Sequence, residues 1–275
     1  MDCDSQKESE PKISLRRAKA CDPLTSAKEG SKRVQASIGI ITQARMASQR
    51  LPGKVLKKIL DQSLLQYHLE RLEQTGLPVI VATTTQPQDD RIVEEAQRLG
   101  FSVFRSSEDD VLRRYYEAAK AYHLDVIIRV TSDCPLIDAR VIDEGLESYL
   151  KEKNYKQIYL SNCLERRFPR GFDFEIFSKE LLEEAYLKAS QPFEREHVTP
   201  YFYKEPKAHI HIRHFLYRED KSRYRVTVDT AQDFELIEKL MEAGAMKMSA
   251  GQIIHLLDTQ PSWVAINAHV EQKSL

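Results

Sequence analysis

No stretch of this 275-residue chain is long and apolar enough to span a bilayer, so no membrane partner is expected. Its first residues lack the apolar core of a secretory signal, and a cytoplasmic protein is expected. Cysteine is scarce. Cys3, Cys21, Cys134 and Cys163 show no CxxC or other metal-type spacing, which argues against a zinc site or disulfide framework and for reduced thiols. There is no excess of either charge, with 41 Lys and Arg against 42 Asp and Glu, so no basic surface points to nucleic acid. Internal repeats are absent. What remains, 41% hydrophobic residues, is enough for one large α/β domain or two small ones.

Residues 1–35 are polar and poor in large apolar side chains, and read as a disordered tail. Folded structure is expected over 36–260, with residues 261–275 as a C-terminal tail. Continuous apolar runs predict buried strands at 37–42, 78–84, 101–105 and 125–130. Helical patterns alternate with them. Ser63 and Gln66 are spaced as a capping box for a helix over 63–75, Pro87 fits the first turn of the next, and Asp138 caps one ending near Lys151. Strand, helix, strand, helix at this spacing predicts parallel βαβ units. The pattern then changes. Residues 154–222 read as an α+β insertion with strands at 157–161 and 172–177 and a helix at 178–188. Ile210, Ile212 and His214 alternate as in a half-exposed antiparallel strand. Residues 224–228 predict a return to a buried strand, and Thr230 with Asp233 forms a capping box for the helix that follows.

Chemistry collects where the predicted strands end. The first strand stops at a loop carrying Arg45, Arg50 and Lys54, three cations suited to a polyanion such as a nucleoside triphosphate. In open α/β sheets, ligands bind outside the carboxyl ends of the strands. Asp133 directly follows the fourth strand and Asp229 the last. Two carboxylates facing a basic loop would suit Mg²⁺ bridging to phosphates, although each also fits a turn or cap role.

The stretch Ala44-Arg45-x-x-Ser48-x-Arg50-Leu51-Pro52-Gly53-Lys54 resembles the nucleotide-binding loop of acid-sugar cytidylyltransferases, the CMP-sialate and CMP-Kdo synthetases. Residues 104–112, Asp133-Cys134-Pro135-Leu136-Ile137-Asp138, Pro169-Arg170-Gly171, residues 194–201 and Val228-Asp229-Thr230 narrow the resemblance to the spore-coat polysaccharide biosynthesis protein F branch. It covers residues 37–245. It implies a Rossmann-like nucleotide-diphosphosugar transferase fold, α/β with a mainly parallel sheet, and CTP plus a sugar as substrates. It assigns nucleotide contacts to Ala44, Arg45, Ser48, Arg50, Lys54, Thr83, Ser107 and Asp133, catalysis to Arg45, Lys54, Asp133 and Asp229, and Mg²⁺ to Asp133 and Asp229. Arg170, Arg195, Glu196, His197 and Tyr201 would read the sugar. The related synthetases are commonly dimers, and the insertion has aromatic residues such as Phe202 and Tyr203 for an interface, so a homodimer is expected. The family usually has Gly before the metal-binding Asp; this chain has Ser132.

The expected reaction is attack of a sugar hydroxyl on the α-phosphorus of CTP with loss of pyrophosphate, for surface polysaccharide. Two other classes stay open: a glycosyltransferase of similar fold, which would commonly carry an Asp-x-Asp motif that Asp133 lacks, and a catalytically inactive binding homologue, which Ser132 and the tail would suit.

Overall fold

A computed structural model describes residues 36–205 and 207–272; the expected tail over residues 1–35 lies outside them. β1 (Ile38–Gln43) leads through a long loop into a small hairpin, β2 (Lys58–Ile59) and β3 (Gln62–Ser63), and then α1 (Leu64–Glu73). β4 (Val79–Thr84), α2 (Asp90–Arg98), β5 (Ser102–Ser106), α3 (Val111–Ala121), β6 (Val126–Thr131) and α4 (Ala139–Lys151) follow in strict alternation. The insertion supplies β7 (Ile158–Ser161), β8 (Glu175–Ser178), α5 (Lys179–Lys188), α6 (Pro192–His197), α7 (Pro200–Tyr203) and β9 (His211–His214). The chain ends with α8 (Ala231–Glu242), α9 (Ala250–Thr259) and α10 (Pro261–Asn267).

One seven-stranded sheet has the order β5-β4-β1-β6-β8-β7-β9. Its first four strands are mutually parallel. β8 runs antiparallel between β6 and β7. Strand order reverses at β1, whose neighbours are β4 and β6, so the crevice between the β1 and β6 carboxyl ends is the topological switch point where open sheets bind ligands. Alternation along β1 explains why two layers can cover it. Ile40 faces the core formed with Leu65 and Leu69 of α1 and Ile92 of α2, while Ile41 faces Leu112 and Tyr115 of α3. A third core joins α8 and α9 to Tyr224, Val226 and Val228.

Four expectations change. Residues 224–228 are not a sheet strand; apart from an isolated bridge between Arg225 and Arg170, their backbone bonds go to turns, with Val226 N–H donating to Arg170 O (2.7 Å) and Val228 N–H to Asp133 O (2.8 Å). β9 pairs with β7 in parallel, because alternation of polar and apolar residues reports burial and not direction. Phe202 is buried between Tyr159 and Phe177 and is not free for an interface. Residues 261–267 form a helix packed on α8. Among the capping boxes, those at Thr230/Asp233 and Ser249/Gln252 are complete; Ser63 accepts from Gln66 N–H, but the Gln66 side chain turns to Glu70 instead.

Candidate active site

The loop after β1 is pinned at several points. Ala44 N–H donates to Ala82 O, Asp89 accepts from Met46 N–H at 2.7 Å, and Gly53 N–H returns to Met46 O. Gly53 sits at φ 67°, a left-handed conformation natural to glycine, and starts the 3₁₀ turn that aims Lys54 back at the sheet. On the neighbouring strand, Ser132 N–H donates to Gln43 O, tying the Asp133 turn to the end of β1. Ser132 is buried, and its backbone is not among the positive-φ positions, so a side chain there carries no backbone strain.

His68 supports that turn from below. It is fully buried on α1, with Nδ1 2.9 Å from Cys134 O and Nε2 2.8 Å from Thr42 Oγ1. A carbonyl only accepts, so Nδ1 carries the proton and the Thr42 hydroxyl donates to Nε2. Burial pushes the imidazole down to about 4, despite the Cys134 carbonyl and Asp133, and keeps it neutral.

Asp229 reaches the same place without a strand beneath it. Thr227 Oγ1 and Val228 N–H both donate to Asp133 O, so the 224–228 segment docks directly on the Asp133 turn. Gly171 makes this possible. Its φ is +109°, and a Cβ there would lie 2.6 Å from Val226 C and 2.7 Å from Thr227 N.

Lys54 Nζ donates to Asp133 Oδ2 (3.0 Å), Asp229 Oδ1 (2.8 Å) and Val228 O (2.7 Å). Burial would lower the Lys54 pKa, but Asp133 and Asp229 outweigh it and raise it, so the ammonium is held. Burial would likewise raise Asp133; the Lys54 charge and hydrogen bonds from Thr131 and Lys54 instead pull it down to about 2. The other oxygen of Asp229 accepts from Arg50 Nη2 (2.9 Å) and Arg225 Nη2 (2.7 Å). Arg225 is fixed in turn by Asp233, and Asp233 by Asn267 of α10. Gln272 accepts from Arg225 Nη1.

These groups open onto a cleft of about 540 Å³, also lined by Ala44, Arg45, Ser48, Arg114, Arg129, Arg170, Glu196 and His197. Arg45, Arg170, Glu196 and His197 make no side-chain hydrogen bond or ion pair to another described residue. Burial and the nearby Arg166 and Arg225 charges depress the Arg170 pKa, only partly offset by Asp173: a cation short of an anion. Burial, Arg129 and Arg45 depress His197 against the pull of Glu196.

Four expected site residues are not brought to this cleft. Thr83 is fully buried in β4, its hydroxyl without a partner among the described residues. Ser107 accepts from Arg114 through its carbonyl. Arg195 is engaged by Asp110 and by Tyr186 O, with its guanidinium over the Tyr186 ring. Tyr201 is buried and donates to Glu184. Arg129, which lines the cleft and pairs with Glu175, is a site residue not expected from the sequence. A charge in the middle of the apolar run Val-Ile-Ile-Arg-Val was the available signal. Arg225 and Gln272 were equally unexpected, because their roles depend on how the C-terminal helices pack.

A mainly parallel sheet with a basic loop and two carboxylates at its switch point defines a nucleotidyltransferase of Rossmann-like fold. The family model for cytidylyltransferases matches residues 38–256, and the chain belongs to that family. It is similar to a cytidylyltransferase structure from Leptospira borgpetersenii serovar Hardjo-bovis, with a TM-score of 0.79 and 35% identity over 88% of this chain and 100% of that one. It is also 31% identical to the spore coat polysaccharide biosynthesis protein SpsF of Bacillus subtilis, over 80% of this chain and 94% of the relative. A CMP:2-keto-3-deoxy-manno-octonic acid synthetase complexed with CTP shares the fold at TM-score 0.57 and 20% identity, covering 76% of this chain and 100% of that one. The enzyme is thus a nucleotidyltransferase of the acid-sugar cytidylyltransferase superfamily. No helix among the described residues is long and apolar enough to cross a membrane.

Proposed function

We propose that the enzyme transfers CMP from CTP to a hydroxyl of an acidic sugar, releasing pyrophosphate, for surface polysaccharide. The observation that carries this reading is the convergence of Asp133, Asp229 and Lys54 at the switch point, beside Arg45 and Arg50. Arg50 and Lys54 would grip the β- and γ-phosphate oxygens while Arg45 faces the open cleft, neutralising charge as pyrophosphate leaves. The donor set fits Mg²⁺: two hard carboxylate oxygens, Asp133 Oδ2 and Asp229 Oδ1, turned toward one point beside cations placed for phosphate. Mg²⁺ held there would supply Lewis-acid stabilisation of the transferring phosphoryl group. His68, through Cys134 O, keeps the Asp133 turn in register with β1.

The acid character of the sugar is supported by Arg170, a cation crowded by Arg166 and Arg225, only partly offset by Asp173, and without an ion pair among the described residues. Glu196 and His197, which line the same cleft without a side-chain hydrogen bond among the described residues, are placed to take sugar hydroxyls. No side chain is assigned as general base; an α-phosphorus attack in line with a good leaving group leaves the protein mainly positioning and electrostatics to supply. Preference for CTP over UTP and GTP follows from a phosphate loop without the Gly-x-Gly of common uridylyl- and guanylyltransferases. The homodimer also remains part of this reading, and light scattering tests it: a monomer mass at micromolar concentration contradicts it. The decisive assay of function is incubation with CTP, Mg²⁺ and a panel of 2-keto acid and neutral sugars. Pyrophosphate release that requires an acidic sugar supports the proposal; release with neutral sugars alone, or none with any, overturns it.

A further inference from the structure

We propose that Lys54 is a built-in cation that occupies the Asp133–Asp229 pair in the nucleotide-free enzyme and must leave it before a divalent ion can enter, so that metal and triphosphate bind together. This rests on the proposed nucleotidyl-transfer site. Lys54 Nζ lies 3.0 Å from Asp133 Oδ2 and 2.8 Å from Asp229 Oδ1, the same two oxygens that face the candidate ion position. Mg²⁺ binds such oxygens at about 2.0–2.1 Å, so an ammonium already in contact with both and an ion between them exclude one another by space and by charge.

The remaining contacts explain why the lysine and not the carboxylates would move. Asp229 is held through its other oxygen by Arg50 and Arg225, and Arg225 is anchored on buried Asp233. The Asp133 turn is held by Thr227, Val228 and Ser132. Lys54 instead sits on a flexible four-carbon stem at the end of the phosphate-facing loop. Its third partner is only the carbonyl of Val228. Triphosphate oxygens arriving beside Arg50 would give the ammonium a new anionic partner. The two carboxylate oxygens it vacates would be left facing each other, a like-charge arrangement that favours a divalent cation.

The protein provides little for a metal alone. Among the described residues no group of three or more His, Cys, Asp or Glu could hold one. Two carboxylates and a competing lysine make an incomplete site, which phosphate oxygens would complete. The lysine therefore keeps the carboxylate pair neutralised while the enzyme is empty, and it disfavours unproductive uptake of metal without nucleotide.

The test is Mn²⁺ binding to the full chain without nucleotide, read by loss of the free-ion electron paramagnetic resonance signal and by thermal melting. In wild type, Mn²⁺ should bind weakly and leave the melting temperature unmoved. Lys54→Met and Lys54→Gln should bind Mn²⁺ roughly tenfold or more tightly than wild type, melt lower without metal, and recover on adding it. Equal Mn²⁺ affinity in wild type and either variant overturns the proposal and leaves the transferase reading standing. Micromolar uptake by nucleotide-free wild type also overturns it, and needs no variant to fold. If CTP brings no Mn²⁺ to wild type beyond what Asp133→Asn takes up, the shared-ion reading falls with it.

Discussion

Lys54, Asp133, Asp229, Arg50 and Arg225 in the cleft are bonded to one another in a net, whereas Arg170, Glu196 and His197, which also line it, make no side-chain hydrogen bond or ion pair among the described residues. The net is built for chemistry that is the same for every acceptor: its carboxylates are set by backbone contacts such as Val228 N–H to Asp133 O, and Lys54 is the member proposed to shift around a triphosphate. The unpaired group is polar, and its bonding is left for a ligand to complete. The carboxylates for transfer are preorganised and the groups for acceptor choice are not, which predicts that substitutions in the two groups fail in different kinetic parameters.

The largest effects should come from the net. Asp133→Asn and Asp229→Asn keep size while removing a hard anionic ligand, and each should lower turnover roughly a hundredfold or more with the fold retained. Because the two carboxylates act together, the double variant should lose much less than the sum of the single losses; an additive result in steady-state turnover would separate their roles. Next comes His68. Its folded pKa of about 4 lies below its unfolded value, so the unfolded chain binds more protons between about pH 6.5 and 4. The stability it supports is full above that window and falls by about 3 kcal/mol as pH drops through it. Urea melts of wild type and His68→Gln across that range should show a shallower slope for the variant; parallel slopes would place the acid sensitivity elsewhere, as in loss of the Asp133 ion pair nearer pH 2–4.

In the unpaired group, Arg170→Ala should raise the acceptor KM roughly tenfold or more, the scale of one charged hydrogen bond, while the KM for CTP stays put. Equal rises for both substrates would assign Arg170 to the nucleotide. The smallest effect sharpens the boundary of the group. Arg195 is tied to Asp110 and Tyr186, so Arg195→Ala should cost about 1 kcal/mol of stability and change neither KM. A selective acceptor defect would return Arg195 to the site.

How far the sequence disclosed this depended on what each feature rests on. The parallel half of the sheet was legible because β1, β4 and β6 are continuous apolar runs separated by helices, the first of them capped by Ser63. Lys54 and Asp133 were legible because chemistry gathers at strand ends, and Asp229 was picked out on the same ground although no strand precedes it. The route of Asp229 was not. Tyr-Arg-Val-Thr-Val has strand composition, yet its backbone partners are the Arg170 and Asp133 turns, a long-range choice made possible by Gly171. The direction of β9 was hidden for a similar reason, since polar–apolar alternation is the same in parallel and antiparallel edges. Arg195 and Tyr201 looked available because an Arg and a Tyr in a motif give no sign of the Asp110 and Glu184 that engage them.

The central claim is that this cleft moves a cytidylyl group, and labelling the α-phosphate of CTP tests it most directly. With Mg²⁺ and an acidic sugar, all transferred label should appear in the sugar product, with unlabelled pyrophosphate released in equal amount. Label appearing in a diphosphate product, or pyrophosphate forming without label in the sugar, would contradict it.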